Sequence, residues 1–189
     1  MNSYRWLLIR KMLITLLLLL PHHPVFADEF IQRRAEVGLK LFRTFVNADL
    51  QINSKIQDQQ LLVILTYAND ETVARDHQQK LQETFTTVNG VPVVVRAANI
   101  QQILQQTNPE PAALFISQPL NEDERKVLVN YSIEHRVIIF SPYEGDVEEG
   151  ILAGISVQAT VRPLINMKTL ERGKFQIKAF YLKVAKHYE

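Results

Sequence analysis

The chain has 189 residues, with 21 Lys and Arg against 20 Asp and Glu, and it contains no cysteine. The lack of cysteine excludes a disulfide framework and a thiolate metal site. The near-neutral balance argues against nucleic acid as a bulk electrostatic partner.

The first 27 residues predict a cleaved secretory signal peptide. Three basic residues precede an apolar run at 12–20, and the segment ends on Val25-Phe26-Ala27. The run is shorter than the roughly 20 residues that a membrane span needs. Cleavage would leave residues 28–189, with 18 basic and 20 acidic side chains, as one exported domain. The alternative is an uncleaved N-terminal anchor.

From residue 28 onward, helical patterns alternate with apolar runs. Apolar residues at spacings of three and four predict a helix over 28–49. The continuous apolar run Leu61–Tyr67 predicts a strand buried on both faces. A helix over 71–85, capped by Asn69-Asp70, then leads to a second strand at 93–95.

The alternation continues to the end of the chain. The remaining predicted elements are, in order, a helix at 100–106, a strand at 112–117, a helix at 121–135, strands at 136–140 and 150–157, an extended piece at 160–163, and helices at 166–172 and from about 176. The last helix has an apolar stripe formed by Ile177, Phe180, Tyr181, Val184 and Tyr188.

Strands that alternate with helices indicate crossover connections. The sequence therefore predicts an α/β domain over 28–189, with three layers and a mostly parallel sheet of about five strands. Helices should cover both faces of this sheet, in a Rossmann-like or flavodoxin-like arrangement.

Catalytic and cofactor motifs do not appear. The glycines at 145, 150 and 154 match neither GxGxxG nor GxxxxGK, and no serine lies in a GxSxG elbow. The acidic cluster between 144 and 149 lacks the ligand order of a calcium loop. We therefore expect a non-enzyme without metal or cofactor, although a triad assembled in space stays open.

Polar residues gather where the predicted strands end, and in open parallel sheets ligands bind beyond these carboxyl ends. Together with the acidic cluster and the segment after it, they give ten candidate residues for contact with a partner or ligand. These are Tyr67, Asn69, Ser117, Ser141, Tyr143, Glu144, Asp146, Glu149, Arg162 and Asn166. The alternative is that they serve only as loop and helix-cap residues.

The C-terminal region is basic. Seven Lys and Arg residues follow residue 160, against Glu171 and Glu189. This excess predicts either a solvated helix face or a patch for anionic lipid head groups or an acidic protein surface.

The segment S-P-Y-E-G-D-V-E-E-G-I-L-A-G-I-S-V at 141–157, followed by Val161–Asn166 and Phe180–Lys186, resembles the YfiR-like family. Phe42–Val46 is similar to the first helix of that family. The resemblance implies a non-enzymatic periplasmic regulator. Such a protein binds the periplasmic domain of an inner-membrane sensor, namely a diguanylate cyclase, and limits cyclic di-GMP production.

Two features depart from the family pattern. Asn47-Ala48-Asp49 stands where members commonly have an aromatic-proline pair, and the cysteines of redox-tuned members are missing. The resemblance therefore supports the general regulatory role more strongly than it supports a particular partner or a redox switch.

Residues 61–172 also resemble one lobe of an ABC-transporter-type periplasmic substrate-binding protein, especially at Ala113–Ser117 and Glu149–Val157. This resemblance implies an alternative function, the binding of a small ligand for a transporter or a sensor kinase. A single lobe can bind a ligand only at a shallow surface or across a homodimer.

Overall fold

The computed structural model describes residues 25–105 and 109–189, with side chains from residue 29. The elements are, in chain order, α1 (Val25–Ala48), a 3₁₀ turn (Ile52–Lys55), β1 (Leu61–Tyr67), α2 (Glu71–Thr84), β2 (Thr87–Val88), β3 (Val91–Asn99), α3 (Ile100–Gln105), β4 (Ala113–Ile116), α4 (Glu122–His135), β5 (Ile138–Ser141), β6 (Ala153–Val157), β7 (Val161–Asn166), α5 (Met167–Arg172), α6 (Ala179–Val184) and β8 (Lys186–Tyr188). Residues 31–189 form one compact unit.

Strand β1 has the boundaries that the sequence predicts, and all seven of its residues are buried. It pairs in parallel with β3 on one side and with β4 on the other. A continuous apolar run suits such a strand because helices cover both of its faces.

The sheet has eight strands in the order β2-β3-β1-β4-β5-β6-β7-β8. β3, β1, β4, β5 and β6 are parallel and correspond to the five predicted strands. The other three strands extend the two sides of the sheet. β2 pairs with β3 in antiparallel orientation, β7 pairs with β6 in antiparallel orientation, and β8 pairs with β7 in parallel orientation. The predicted mostly parallel α/β sheet is confirmed, with more strands than expected.

Helices cover both faces of this sheet. In the sheet, β3 lies on one side of β1, whereas β4 and β5 lie on the other side. The chain therefore moves across the sheet in one direction from β1 to β3, and in the opposite direction from β3 to β4 and on to β5. Because such crossovers are right-handed, α2 lies on one face, and α3 and α4 lie on the other. Phe42 of α1 joins the α2 face, where both Phe42 and His77 contact Phe115 at ring-centroid distances of 5.4 and 5.8 Å.

Strands β5 and β6 begin two and three residues later than the sequence predicts. Arg136 ends α4 in the left-handed region with φ 55°, so β5 begins only at Ile138. Gly150 has φ 110° and belongs to the turns before β6, which begins at Ala153.

The predicted long C-terminal helix is wrong. Helix α6 spans only six residues, and the chain then extends as β8 beside β7. Of the predicted apolar stripe, Ile177 and Tyr181 are buried, whereas Phe180, Val184 and Tyr188 are exposed. The ladder with β7 satisfies backbone groups that a longer helix would have paired internally.

The predicted signal peptide falls mainly on residues 1–24, which lie outside the described residues. Among the helices that the structure describes, none combines the length and apolarity needed to cross a bilayer.

Candidate functional site

The ten candidate residues fall into three groups around the loop 142–152, which joins β5 to β6 and is called the acidic loop below. Five form or support a polar network beneath the loop, namely Ser117, Ser141, Tyr143, Asp146 and Asn166. Two lie exposed on the loop, namely Glu144 and Glu149. The other three, Tyr67, Asn69 and Arg162, make none of the hydrogen bonds of this network.

Asp146 holds the acidic loop from inside. Its side chain is buried, its Oδ1 accepts a hydrogen bond from Arg125 Nε at 3.0 Å, and its Oδ2 accepts one from Ser141 Oγ at 2.5 Å. Ser141 Oγ in turn accepts a hydrogen bond from the Tyr143 backbone N–H at 3.1 Å. A buried carboxylate is tolerated only with such partners, so the network fixes this part of the loop.

Tyr143 joins the acidic loop to the end of β4. Its hydroxyl donates to the Ser117 carbonyl at 2.6 Å. Burial raises the pKa of the Tyr143 phenol, and the charge of Asp146 raises it further. The hydroxyl therefore keeps its proton and its donor role at neutral pH.

This contact lies beside the point where the strand order reverses, between β1 and β4. Ligands bind in the crevice at this point in many open α/β sheets. Here the protein's own groups bridge the crevice, since Gln118 Oε1 accepts a hydrogen bond from the Asp70 backbone N–H at 3.3 Å.

Asn166 and Thr169 hold the second half of the loop. Asn166 Nδ2 donates to the Val147 carbonyl at 2.7 Å, and Asn166 Oδ1 caps α5 by accepting from Thr169 N–H at 2.8 Å. Thr169 Oγ1 donates to the Gly150 carbonyl at 2.8 Å. The start of α5 and the acidic loop therefore form one hydrogen-bonded unit.

Helix α1 holds the loop from the opposite direction. Arg34 Nε donates to the Pro142 carbonyl, and Arg34 Nη2 donates to the Ile155 carbonyl at 3.1 Å. Burial lowers the pKa of Arg34, while the charges of Glu144 and Glu148 oppose that shift. The helix approaches closely because Gly38 lies there, where an added Cβ would be 2.8 Å from Pro142 Cβ.

The outer surface of the acidic loop carries Glu144, Glu148 and Glu149, all exposed. No described side chain forms a hydrogen bond or a salt bridge with these three carboxylates. The loop thus combines a backbone fixed by buried groups with three exposed carboxylates, two of which act on Arg34 only through their charge.

The other candidate residues have separate roles. Tyr67 is buried at the end of β1, and Asn69 is exposed in the bend that follows. Arg162 donates to the Val184 carbonyl through Nε at 3.1 Å and Nη2 at 2.9 Å, which joins β7 to α6.

Arg34 and Arg125 are not among the ten predicted site residues, although they hold the acidic loop in place. Both lie on helices where the periodicity assigns them to a polar, solvated face. No sequence signal separates them from other helical arginines, because the partners that they bind in the acidic loop and at β6 lie 21 to 121 residues away.

Two further observations concern metal binding and cavities. Within the described residues, no group of three His, Asp or Glu side chains converges as a metal site would require. A polar cavity of about 160 Å³ lies before the amino ends of β1, β4 and β5, away from the acidic loop. Its ionisable lining residues are Lys55, Glu110, His135 and Arg136.

No family model matches the sequence, and the comparison with curated proteins gives no significant match. Solved structures do match. An ABC domain in complex with L-Trp from Streptococcus pneumoniae has 12% identity and a TM-score of 0.47, covering 75% of this chain and 61% of that one. A conserved domain protein from Vibrio cholerae has 12% identity and a TM-score of 0.50, covering 76% and 60%.

The chain thus spans about 60% of the length of these two neighbours. At 12% identity the Vibrio cholerae neighbour bears on the fold alone, and it agrees with the α/β assignment.

Proposed function

We propose that the chain is a non-enzymatic regulatory protein that binds another protein through the acidic loop. One observation carries this proposal: the Arg125–Asp146–Ser141 network fixes the loop from inside, while Glu144, Glu148 and Glu149 are exposed outside and form no salt bridge with a described residue. A fixed loop loses little conformational entropy on binding. Free carboxylates select and steer a partner of positive potential.

For the partner, we propose the periplasmic domain of an inner-membrane sensor, a diguanylate cyclase in the first instance. The proposal rests on the resemblance of residues 141–186 to the YfiR-like family, since the acidic loop lies within this stretch. The chain would act in the periplasm and hold the cyclase inactive. A sensor kinase is the second choice of partner.

The experiment compares a deletion strain of the native host with the same strain complemented by the epitope-tagged full chain. Membranes are solubilised gently, proteins captured by the tag are identified, and cellular cyclic di-GMP is measured. We expect capture of a diguanylate cyclase and a higher nucleotide level in the deletion strain. An unchanged nucleotide level with no captured membrane sensor would refute the proposal.

A second candidate function is the binding of a small ligand by a single lobe. The observation in its favour is that Ser117 Oγ is buried where the strand order reverses and has no partner among the described residues. A ligand that binds only the folded chain raises the melting temperature. We would screen amino acids and small carboxylates by thermal shift, with Ser117→Ala as the matched control. A shift that Ser117→Ala abolishes favours this function, and no shift with any probe contradicts it.

A further inference from the structure

The two edges of the sheet differ in whether their outward backbone groups are hydrogen-bonded. An edge strand presents unpaired N–H and C=O groups that can pair with another chain, and proteins usually cover or blunt such edges. On one side the sheet ends at β3 with the two-residue strand β2, and on the other side it ends at β8.

Side chains of α2 seal the β3 edge. Gln82 donates to the Val93 carbonyl at 3.2 Å and accepts from Val95 N–H at 2.9 Å. One helical turn earlier, Gln78 donates to the Val95 carbonyl at 3.1 Å and accepts from Ala97 N–H at 3.0 Å. The two amides thus take the positions that a neighbouring strand would occupy.

The seal continues at both ends of β3. Val93 N–H donates to the Thr86 carbonyl at 2.9 Å, and Asn99 N–H donates to Gln102 Oε1 at 2.9 Å. The outward backbone groups from Val93 N–H to Ala97 N–H are therefore occupied without a gap, and this edge is closed to a further strand.

The β8 edge has no such seal. β8 is the last strand of the sheet, its three residues are exposed, and no described segment pairs with its outer side. Exposed apolar side chains lie on β8, on helix α6 before it and at the adjoining ends of β6 and β7, and we call them the β8 patch. They are Val157, Val161, Phe180, Val184 and Tyr188, with exposed fractions of 41, 47, 54, 51 and 37%.

Pairing, one side-chain contact and helical spacing connect four members of the β8 patch, and the fifth, Tyr188, belongs to β8 itself. Val157 and Val161 are cross-strand partners at the tip of the β6–β7 hairpin. The guanidinium of Arg162 binds the Val184 carbonyl and brings that tip to the end of α6. Phe180 and Val184 are four residues apart on α6 and lie on the same side of the helix.

The charges around the β8 patch are mostly positive, since Arg162, Lys183 and Lys186 are exposed against one acidic residue, Glu189. This net positive charge disfavours a second copy of the chain, because two such edges would bring patches of the same sign together. It favours an extended segment that carries carboxylates. Such a segment would pair its backbone with β8 and place apolar side chains on Phe180 and Val184.

We propose that β8 and the β8 patch form a docking edge, to which an extended, acidic segment of a partner protein adds as a ninth strand. The inference rests on the proposed function in that the chain binds another protein. It concerns a different surface from the acidic loop, so the two can fail separately.

The test uses the absence of cysteine from the sequence. Glu189→Cys places a unique attachment point next to β8 and leaves Lys183 and Lys186 intact. Arg96→Cys places the matched control on the sealed strand β3. Each full-length chain is labelled with a photo-crosslinker and incubated with solubilised membranes of the native host, and crosslinked peptides are identified by mass spectrometry.

We expect residue 189 to crosslink to an acidic, extended segment of the membrane sensor captured by the tagged chain, and residue 96 to give no such product. Adding Phe180→Ser and Lys186→Glu should reduce the crosslink at least tenfold. Capture of the sensor without a crosslink at 189, or with equal crosslinks at 189 and 96, overturns the docking edge and leaves the proposed function standing. A crosslink only to lipid or to a second copy also overturns it. If no sensor is captured, both proposals fail.

Discussion

Arg125 Nε lies 3.0 Å from Asp146 Oδ1, and this pair joins helix α4 to the acidic loop. Both side chains are largely buried, with exposed fractions of 17 and 4%. Removing one member of such a pair leaves a buried charge without its partner. The free energy of unfolding therefore depends on the same contact that fixes the loop.

We predict that Arg125→Ala lowers the free energy of unfolding by about 3 kcal/mol, because Asp146 then stays buried without its cation. Urea denaturation measures this change. The matched control is Lys126→Ala on the next residue, whose pair with Glu122 is exposed and screened by solvent, so this substitution should lower the free energy of unfolding far less than Arg125→Ala does. Equal effects of the two substitutions would contradict the central role of Arg125.

Gly38→Ala tests the close approach of α1 to the loop. In an exposed helix this change stabilises by up to about 1 kcal/mol. Here the added Cβ would lie 2.8 Å from Pro142 Cβ, and such overpacking costs about 1 to 3 kcal/mol. We therefore expect no gain or a net loss of up to about 2 kcal/mol in urea denaturation. A clear stabilisation would show that the helix and the loop are further apart.

His77 should make stability depend on pH. Burial lowers the pKa of its imidazole in the folded chain, and the nearby charges of Asp76, Lys80 and Glu36 act less strongly. Below pH about 6.5 the unfolded chain takes up this proton before the folded chain does, so stability should fall as pH falls through that window. His77→Phe should flatten the slope, measured by urea denaturation from pH 7.5 to 5. The exposed-site control His187→Gln should retain it, and a slope unchanged in His77→Phe would contradict the assignment.

Gln78→Ala combined with Gln82→Ala should open the β3 edge. Four hydrogen bonds to Val93, Val95 and Ala97 are lost, which exposes backbone groups that can pair with another chain. We expect self-association at concentrations where the wild type shows none, measured by sedimentation velocity. Gln79→Ala on the same helix is the control, because the Gln79 side chain donates to Glu83 of the same helix and to no described group of β3. A double variant that sediments like the wild type would contradict the sealing role.

The parallel core of the sheet could be predicted because its strands are continuous apolar runs. Leu61–Tyr67 is buried along its whole length, and no helical periodicity competes with the strand there. The end of the chain was predicted wrongly because a helical period is present there although part of the segment is a strand. Phe180, Tyr181 and Val184 satisfy a helical period, whereas the pairing of the following residues with β7 is set by distant partners.

The sequence shows an acidic cluster between residues 144 and 149, but it does not show which of these residues are buried and which are exposed. Asp146 and Glu149 are both acidic residues in a glycine-containing turn. Only the position of Arg125, on a helix 21 residues earlier, buries the first and leaves the second exposed. Such a distinction depends on tertiary contacts that local pattern does not encode.

The most direct test of the acidic loop as a binding surface is capture of the membrane sensor by a charge-reversed chain. Glu144→Lys, Glu148→Lys and Glu149→Lys are combined in the tagged full chain. The control reverses three exposed glutamates elsewhere, Glu83, Glu134 and Glu171, and so matches the change in net charge. We predict that the loop variant captures at least tenfold less sensor than the control while still unfolding in a single cooperative transition. Equal capture by the two variants would contradict the account.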